Sequence, residues 1–369
     1  MPLREVKASI AVITYNHEQY IGRCLDSLLR QKTDFLFEII VGEDCSNDNT
    51  AKIVTEYAER FPDIIKPIRS AANVGMTANI DRVEKACRGK YIAYCEGDDC
   101  WICEDKLQKQ VDFLSNNPEY GLVHAGAIGV LQDGRQREIQ TTAEDDLEKG
   151  SQFILTSQHR ILTLTVCLVK DMLIRAKEEE RTICDPEFKA ADFSRWYVIN
   201  QYSRIKYFPE IVAKYSILDE SASHSKNVLC RHRFQESVYK LKRRLWENWN
   251  KQPEVMLVID RNYWPVALGF AAKLADRRLA STAAAELIHL NKKLNHIQTL
   301  EYAAAYSWLA RRGIGLIEHI LFVKNSIRQA GLKEWIMCAW VFGVAVVWLY
   351  PFLNRVSSKI LGILSAKIS

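Results

Sequence analysis

Three carboxylates stand within the four residues of the segment Glu96-Gly97-Asp98-Asp99. Carboxylates this close repel one another unless a cation lies among them. In proteins, Mg²⁺ is held by one or two carboxylates together with phosphate oxygens of a substrate, and such an ion neutralises a departing diphosphate as a Lewis acid. The segment therefore predicts a Mg²⁺ or Mn²⁺ site that acts on a phosphorylated substrate. The alternative is an acidic turn that only faces solvent.

A second polar segment, from Glu43 to Thr50, has the sequence Glu-Asp-Cys-Ser-Asn-Asp-Asn-Thr. Its carboxylates can accept hydrogen bonds from the N–H of a nucleobase or from a ribose hydroxyl. Asp48 also suits the N-cap of a following helix, which is a purely structural role. Two such segments indicate a nucleotide site with a metal ion if they meet at one edge of a sheet.

Both polar segments directly follow short apolar runs that are typical of buried strands. Such runs alternate with segments of helical spacing four times in about 110 residues. This alternation predicts a parallel sheet with helices on both faces, in which ligands bind beyond the carboxyl ends of the strands. The predicted strands cover residues 8–13, 37–41, 64–68 and 90–94, and the predicted helices cover about 21–29, 48–61, 76–87 and 104–114.

The pattern changes after residue 119. A hairpin is predicted from residues 120–131 and 135–141, because Asp133-Gly134 joins two runs of strand character. A further strand is predicted over residues 161–169, a helix over 191–201, and strands over 205–216 that are interrupted by Pro209. After Ser225 the pattern is helical almost to the end.

Composition narrows the class of protein. The 369 residues are enough for about two domains, and a net charge of +5 is too small to indicate nucleic-acid binding. Basic stretches after residue 225 suit an acidic membrane surface or an acidic partner. The first residues lack an apolar signal-peptide core, so we expect the ten cysteines to be free thiols. Cys100 and Cys103 have the C-x-x-C spacing without a second pair, which favours ordinary cysteines over zinc ligands.

Four segments in order make the first 225 or so residues similar to family 2 glycosyltransferases with the A-type fold. These segments are Ile10–Asn16, which resembles the opening strand and its Tyr-Asn turn; Glu43–Thr50; Asn73-Val74-Gly75 with Asn79; and Glu96–Asp99. The second resembles Asp-Asp-Gly-Ser-x-Asp-x-Thr, with Glu43 in place of the first aspartate and Cys45 in place of the glycine. The fourth stands where the family has Asp-x-Asp. The resemblance implies a Rossmann-like mixed sheet flanked by helices, followed here by an α-helical C-terminal region.

The resemblance also implies roles for individual residues. Thr14, Asp44 and Arg69 are expected around the nucleoside, with Asn16 and Asn73 as further candidates that fit structural turns equally well. Asp98 and Asp99 are expected to address the metal and the diphosphate, and Glu96 the ribose or the metal. His224 lies in a Ser-x-Ser-His stretch that resembles the segment closing over the diphosphate in relatives, and it is a candidate metal ligand.

An inverting transfer needs a base that takes the proton of the acceptor hydroxyl. In the family this carboxylate opens a helix roughly 90 residues after the metal motif, a place that Asp192 takes here. Asp185 is the competing carboxylate, and an N-cap is the structural alternative for Asp192.

The resemblance therefore predicts an inverting, metal-dependent enzyme that uses a nucleotide sugar, UDP-linked by default. The expected acceptor is a hydroxyl of a saccharide or a lipid-linked glycan in surface-polysaccharide synthesis. The alternatives are an inactive membrane-bound scaffold of the same fold and another nucleotide-using α/β enzyme. A dinucleotide oxidoreductase is disfavoured, because no G-x-G-x-x-G follows the first strand.

The domains predicted from these patterns are a catalytic domain over residues 1–225, a basic helical region over 226–330, and a membrane-associating segment over 331–369. Residues 335–353 carry no charge over 19 positions and have tryptophans near both ends, as a membrane-spanning helix does. A buried helix or a hairpin that dips into one leaflet is the alternative. Nucleotide sugars and free thiols then place the enzyme on the cytoplasmic face of the cell membrane. No motif indicates an oligomeric state.

Overall fold

The computed structural model describes residues 5–139, 151–156, 161–218, 225–291, 294–295, 298, 301–302 and 305. These residues belong to two compact units, one formed by residues 1–225 with 237–255 and the other by residues 226–236 with 256–369. The domain limits given above stay a prediction.

The first unit holds the sheet. Its strands are β1 (Val6–Thr14), β2 (Leu36–Glu43), β3 (Ile65–Arg69), β4 (Tyr91–Tyr94), β5 (Cys100–Trp101), β6 (Tyr120–Leu131), β7 (Gln136–Glu138), β8 (Cys167–Val169) and β9 (Arg204–Ile217). Its helices are α1 (Ile21–Leu29), α2 (Thr50–Arg60), α3 (Met76–Ala86), α4 (Lys106–Asn116), α5 (Ser151–Thr156), α6 (Lys170–Glu179) and α7 (Ala191–Tyr202). The predicted alternation of strands and helices up to residue 116 is confirmed.

The strands form one mixed sheet in the order β3-β2-β1-β4-β8-β6-β9-β5, with β7 paired to β6. Strands β3, β2, β1 and β4 are parallel, as their continuous apolar character predicts. Strand β8 is antiparallel to both β4 and β6. The carboxyl ends of β1, β2 and β4 therefore meet at one edge of the sheet, and this edge carries the two polar segments.

Apolar side chains of the strands and of the first helices form a continuous core. Ile10, Val12, Ile39 and Val41 are completely buried in β1 and β2, and the helical residue Leu25 covers them from α1. Burial of a side chain of this size contributes about 1.5–3 kcal/mol. The core holds β1, β2 and β4 rigidly, so the loops that follow them start from fixed points.

Two sequence-based predictions beyond residue 119 are wrong. The strand predicted over residues 161–169 is a 3₁₀ turn, Thr163–Thr165, followed by the short strand β8. The strands predicted to break at Pro209 form the single strand β9. Its pairing with β6 steps from Phe208 to Ile211, so the ladder passes over Pro209 in a bulge that needs no N–H from it. The hairpin around Asp133-Gly134 is confirmed, and Gly134 has a left-handed φ of 83°.

The second unit is helical over its described part. Helices α8 (Val228–Leu245) and α9 (Pro253–Leu274) cross the limit between the units, and α10 (Arg277–Asn291) lies wholly in the second unit. Leu268 and Ala271 of α9 and Ala283 and Leu287 of α10 are buried there. Among the described residues, the helices are all too short or too polar to cross a membrane. Residues 335–353, the predicted span, lie outside the described residues.

Candidate active site

The loop between β4 and β5 brings its three carboxylates together. Oxygen atoms of Glu96, Asp98 and Asp99 all lie within 4.8 Å of one another. Asp99 is completely buried, and its Oδ2 atom has no hydrogen-bond partner among the described residues. A buried carboxylate oxygen without a partner is costly unless a cation or a proton lies beside it. This set of oxygen donors suits Mg²⁺ or Mn²⁺.

The raised pKa values in this acidic loop, residues 96–99, also indicate that a nearby positive charge would stabilise its carboxylates. Burial, together with the negative charges of Asp98 and Asp192, raises the pKa of Glu96 to about 8. Burial also holds the pKa of Asp99 well above its usual range, with added repulsion from Asp98 and Glu96. A divalent ion removes this repulsion and favours the ionised carboxylates.

Distant residues hold the acidic loop in place. The backbone N–H of Ser216 in β9 donates to Asp99 Oδ1 at 2.7 Å, and the Ser216 hydroxyl donates to the carbonyl of Asp98. The guanidinium of Arg23 in α1 donates to the same carbonyl at 3.0 Å. These anchors lie 118 and 75 residues from Asp98, so no local pattern in the sequence pointed to them.

Gly97 lets the acidic loop lie directly against the end of β1. Its N–H donates to the carbonyl of Ile13 at 2.9 Å. A Cβ atom at this position would come within 2.7 Å of Thr14 Oγ1 and 3.0 Å of His17 Nδ1. Thr14 Oγ1 and His17 Nδ1 are themselves buried without a hydrogen-bond partner in the described part of the chain. Thr14, a predicted nucleoside contact, therefore lies beside the acidic loop.

Asp192 lies in the first turn of α7 and faces the acidic loop. Thr163 Oγ1 lies 3.2 Å from Asp192 Oδ2 and donates to it, and the charge of Asp192 acts on Glu96. The N-cap of this helix is Ala190, so Asp192 is not the cap. Asp185, the competing carboxylate, accepts the N–H of Glu187 at 2.9 Å within its own turn. No pattern in the sequence linked Thr163 to Asp192, which lies 29 residues further along the chain.

Asp44 directly follows β2, and both of its carboxylate oxygens accept hydrogen bonds. Oδ1 accepts the N–H of Val74 and Oδ2 accepts the N–H of Gly75, each at 2.9 Å. Asp44 is 2% exposed. It fixes the segment that contains Asn73, whose own side chain is exposed. Both predicted nucleoside residues thus lie at the carboxyl edge of the sheet, and Asp44 has a structural task there.

Asn16 is a turn residue. It has a left-handed φ of 55°, and its Oδ1 accepts the N–H of Asn47 at 2.9 Å. Its own N–H donates to Ser46 Oγ at 3.0 Å. Cys45, which replaces the glycine of the family motif, also has a left-handed φ, of 59°. Asp48 accepts the N–H of Thr50 at 2.9 Å and so stabilises the start of α2.

Of the two remaining predicted residues, Arg69 is described and is not placed beside the acidic loop. Arg69 ends β3 with an exposed side chain, and its guanidinium contacts Thr55 Oγ1 and the carbonyl of Ala51 on α2. His224 lies outside the described residues. Cys100 and Cys103 belong to the nine cysteines that are free in the described part of the chain.

Comparison with known proteins finds a family that resembles the first half of the chain. Residues 9–175 match the model of glycosyl transferase family 2. An uncharacterized protein of Mycobacterium tuberculosis is 36% identical over 165 residues, which are 45% of this chain and 44% of that protein. The poly(ribitol-phosphate) beta-glucosyltransferase of Bacillus spizizenii is 31% identical over 115 residues, 30% of this chain and 18% of that enzyme. The chain thus spans less than half the length of these curated relatives.

Solved structures agree on the fold. Residues 1–349 of S. aureus TarS, solved with UDP, superimpose with a TM-score of 0.54 at 19% identity, covering 89% of this chain and 93% of that one. The mannosyltransferase PcManGT of Pyrobaculum calidifontis, solved with GDP-Man and Mn²⁺, gives 0.54 at 16% identity, covering 94% and 88%. The mixed sheet flanked by helices is the glycosyltransferase A-type fold. Residues 9–175 of the chain are therefore similar to the family 2 glycosyltransferases.

Proposed function

We propose that the protein transfers a sugar from a nucleoside diphosphate donor to a hydroxyl group of an acceptor, with the help of a divalent metal and with inversion at the anomeric carbon. The observation that carries this proposal is the meeting of Glu96, Asp98 and Asp99 within 4.8 Å, with the charge of Asp192 acting on Glu96. A metal site and a separate carboxylate are the two groups that such a transfer requires.

Glu96, Asp98 and Asp99 are the residues that hold the metal in this proposal. A bound Mg²⁺ or Mn²⁺ supplies the positive charge that stabilises the departing nucleoside diphosphate. The protein contributes the rigidity of the loop, because Ser216 and Arg23 hold the backbone carbonyl of Asp98 and Ser216 also holds the carboxylate of Asp99. PcManGT was solved with Mn²⁺, which supports a metal in this fold.

Asp192 acts as the base. The acceptor oxygen attacks the anomeric carbon while the bond to the diphosphate oxygen breaks, and the proton of the acceptor hydroxyl passes to the Asp192 carboxylate. Attack from the side opposite the leaving group inverts the configuration. The Thr163 hydroxyl, which donates to Asp192 Oδ2, leaves Oδ1 for the acceptor and orients the carboxylate.

The donor in this proposal is a UDP-sugar. TarS in complex with UDP has the same fold, whereas PcManGT was solved with GDP-Man. The nucleobase is therefore the part of the donor to test. Thr14 and Asn73 remain our candidates on the nucleoside side. Asp44 positions the segment of Asn73, and Arg69 requires a change of side-chain direction to reach a ligand. His224 stays a candidate for the metal or the diphosphate.

The acceptor in this proposal is a saccharide or a lipid-linked glycan of a surface polysaccharide. A poly(ribitol-phosphate) glucosyltransferase among the relatives supports polymer assembly. Residues 335–353 are proposed to hold the enzyme at the cytoplasmic face of the membrane. Flotation of the full chain with liposomes is expected, and a chain that ends at residue 334 is expected to remain unbound. Equal flotation of both would refute the anchor.

A donor screen tests the proposed activity. Full-length protein with Mn²⁺ is incubated with UDP-glucose, UDP-GlcNAc, UDP-galactose and GDP-mannose, and release of the nucleoside diphosphate is measured by chromatography. We expect release from one donor, loss of release with EDTA, and loss in an Asp98→Asn/Asp99→Asn variant that still folds. An Asp185→Asn variant is the matched control and is expected to keep the activity. No release from any donor, with or without a saccharide acceptor, would favour the inactive scaffold.

A further inference from the structure

A cleft of 480 Å³ opens beside the acidic loop, in the first unit. It lies between α1, β5 and the end of β9, and the residues that matter for its chemistry are Arg23, Arg30, Lys214, Ser216, Cys100 and Trp101. In the order of the sheet, β5 and β9 lie at the end opposite β2 and β3. The cleft is therefore separate from the strands that carry the predicted nucleoside contacts.

The cleft has an excess of positive charge. Among the described residues that line it there is one carboxylate, Glu104, which pairs with Lys32 at 2.5 Å. Arg23, Arg30 and Lys214 form no ion pair with any carboxylate in the part of the chain that the structure describes. Clefts lined by charges of one sign concentrate the field and attract ligands of the opposite sign.

The three cations line the same cleft. Arg23 lies in α1, Arg30 directly follows α1, and Lys214 lies in β9. Cys100 is 6% exposed and pairs with Lys214 across β5 and β9, so it lies at the wall of the cleft. The positive charges thus converge on the cleft rather than spread over separate surfaces.

Arg23 is held in position before any ligand binds. Its guanidinium donates to the carbonyl of Asp98 at 3.0 Å and to Ser216 Oγ at 3.3 Å, and it lies 5.6 Å from the centre of the Tyr20 ring. Arg23, which lines the cleft, therefore links the cleft directly to the acidic loop. A planar guanidinium with fixed orientation is the group that best recognises phosphate oxygens.

We propose that this cleft binds a phosphate group of the acceptor, which places the acceptor next to the acidic loop. The proposal rests on the glycosyl transfer proposed above, in which the donor's phosphates lie with the metal at Glu96, Asp98 and Asp99. A phosphate at Arg30 and Lys214 is then a second anion site, separate from the donor site. It selects acceptors that carry a phosphomonoester or a phosphodiester.

Titration calorimetry in EDTA, with glucose 1-phosphate and with inorganic phosphate, tests the cleft. We expect the full chain to bind glucose 1-phosphate and an Arg30→Gln/Lys214→Gln variant to bind it at least tenfold more weakly. The matched control, Lys52→Gln/Arg60→Gln, removes the same charge from the exposed face of α2 and is expected to bind within twofold of the unchanged protein. The single Arg30→Gln variant, at an exposed position, gives a smaller loss and guards against misfolding.

Three results would overturn the cleft proposal. One is equal binding of glucose 1-phosphate by the cleft variant and the control. Another is tighter binding of inorganic phosphate than of the ester, because the site would then take free phosphate. The third is a tenfold loss of UDP binding with Mn²⁺ in the cleft variant, because the cleft would then serve the donor. Absence of UDP binding in the unchanged protein would instead contradict the proposed function.

Discussion

Two loops at the same edge of the sheet use their carboxylates in opposite ways. At the end of β2, Asp44 has both oxygens occupied by backbone N–H groups of Val74 and Gly75. At the end of β4, Asp99 is just as buried, but its Oδ2 atom has no partner among the described residues, and two more carboxylates lie beside it. The protein itself satisfies the carboxylate of the first loop, whereas the second loop leaves a buried oxygen that a cation or a proton would satisfy.

The comparison distinguishes a carboxylate that backbone N–H groups satisfy from a group of carboxylates that the protein leaves unsatisfied. A buried carboxylate that accepts two N–H groups stabilises its ionised form and holds the chain. A group of carboxylates that repel one another destabilises the fold and persists where a function needs it. Residue type alone does not distinguish the two cases, since both segments are rich in aspartate.

The largest expected effect concerns Asp192, the proposed base, whose charge acts on Glu96 of the acidic loop. Asp192→Asn removes the proton acceptor but keeps the size of the side chain. We expect kcat to fall about 10²–10⁴-fold, because a positioned base contributes that much. Binding of UDP with Mn²⁺ should stay within twofold. A steady-state assay beside calorimetry measures both, and a variant with unchanged kcat would remove Asp192 from the mechanism.

Gly97→Ala tests whether the contact between the acidic loop and β1 matters. The added methyl group meets Thr14 Oγ1 and Cβ at 2.7 and 2.8 Å, so the loop must move away from β1. We expect about a 10–100-fold loss of metal-dependent nucleotide binding, because ligand sites tolerate only displacements well below about 1 Å. Gly22→Ala in α1 is a control for the loss of a glycine, since the nearest atom to its added Cβ, Tyr57 Oη, lies at an ordinary contact distance of 3.6 Å. Equal affinities would show that the loop's position is unimportant.

Asp44→Asn and Asp99→Asn should change stability in opposite directions. Asp44→Asn places an NH₂ group against a backbone N–H, and we expect the free energy of unfolding to fall by about 1–3 kcal/mol. Asp99→Asn can keep the bond from Ser216 and removes a repelling carboxylate, so we expect metal-free protein to gain about 1 kcal/mol. Denaturant unfolding in EDTA measures both. Changes of the same sign would break the contrast between the loops.

Lys106, a buried residue of α4, gives a smaller and pH-dependent effect. Burial lowers its pKa to about 8, while Nζ lies 3.8 Å from the centre of the Trp101 ring and donates to Gln110 at 2.9 Å. Because the folded pKa lies below that of the unfolded chain, the unfolded state binds more protons between pH 8 and 10.5. The stability of the protein relative to a Lys106→Met variant should therefore rise over this range, by up to about 3 kcal/mol. A difference in stability that does not change with pH would contradict the lowered pKa of Lys106.

Local patterns were enough to predict strands β1 to β4, helices α1 to α4 and the acidic loop, but not the short strand β5. The predicted elements and the loop both depend on neighbours in the sequence: the period of the apolar residues, and the density of carboxylates between Glu96 and Asp99. Asp192 came from the family resemblance, and its position beside the loop depends on how α7 is placed.

The parts that the sequence did not predict depend on distant contacts. The anchors Arg23 and Ser216 and the Thr163 hydroxyl reach their partners across 75, 118 and 29 residues. The role of Asp44 as a clamp depends on Val74 and Gly75, which lie 30 and 31 residues away. Such pairs form only once the sheet brings the strand ends together.

The most direct test of the contrast between the loops is calorimetric titration of UDP into the full chain, with and without Mn²⁺. The account predicts binding that requires Mn²⁺, disappears in Asp98→Asn/Asp99→Asn, and persists with modest weakening in Asp44→Asn if the variant is folded at the temperature of the measurement. Binding that is independent of Mn²⁺ and survives the loss of Asp98 and Asp99 would contradict it, because the acidic loop would then not be the metal and nucleotide site.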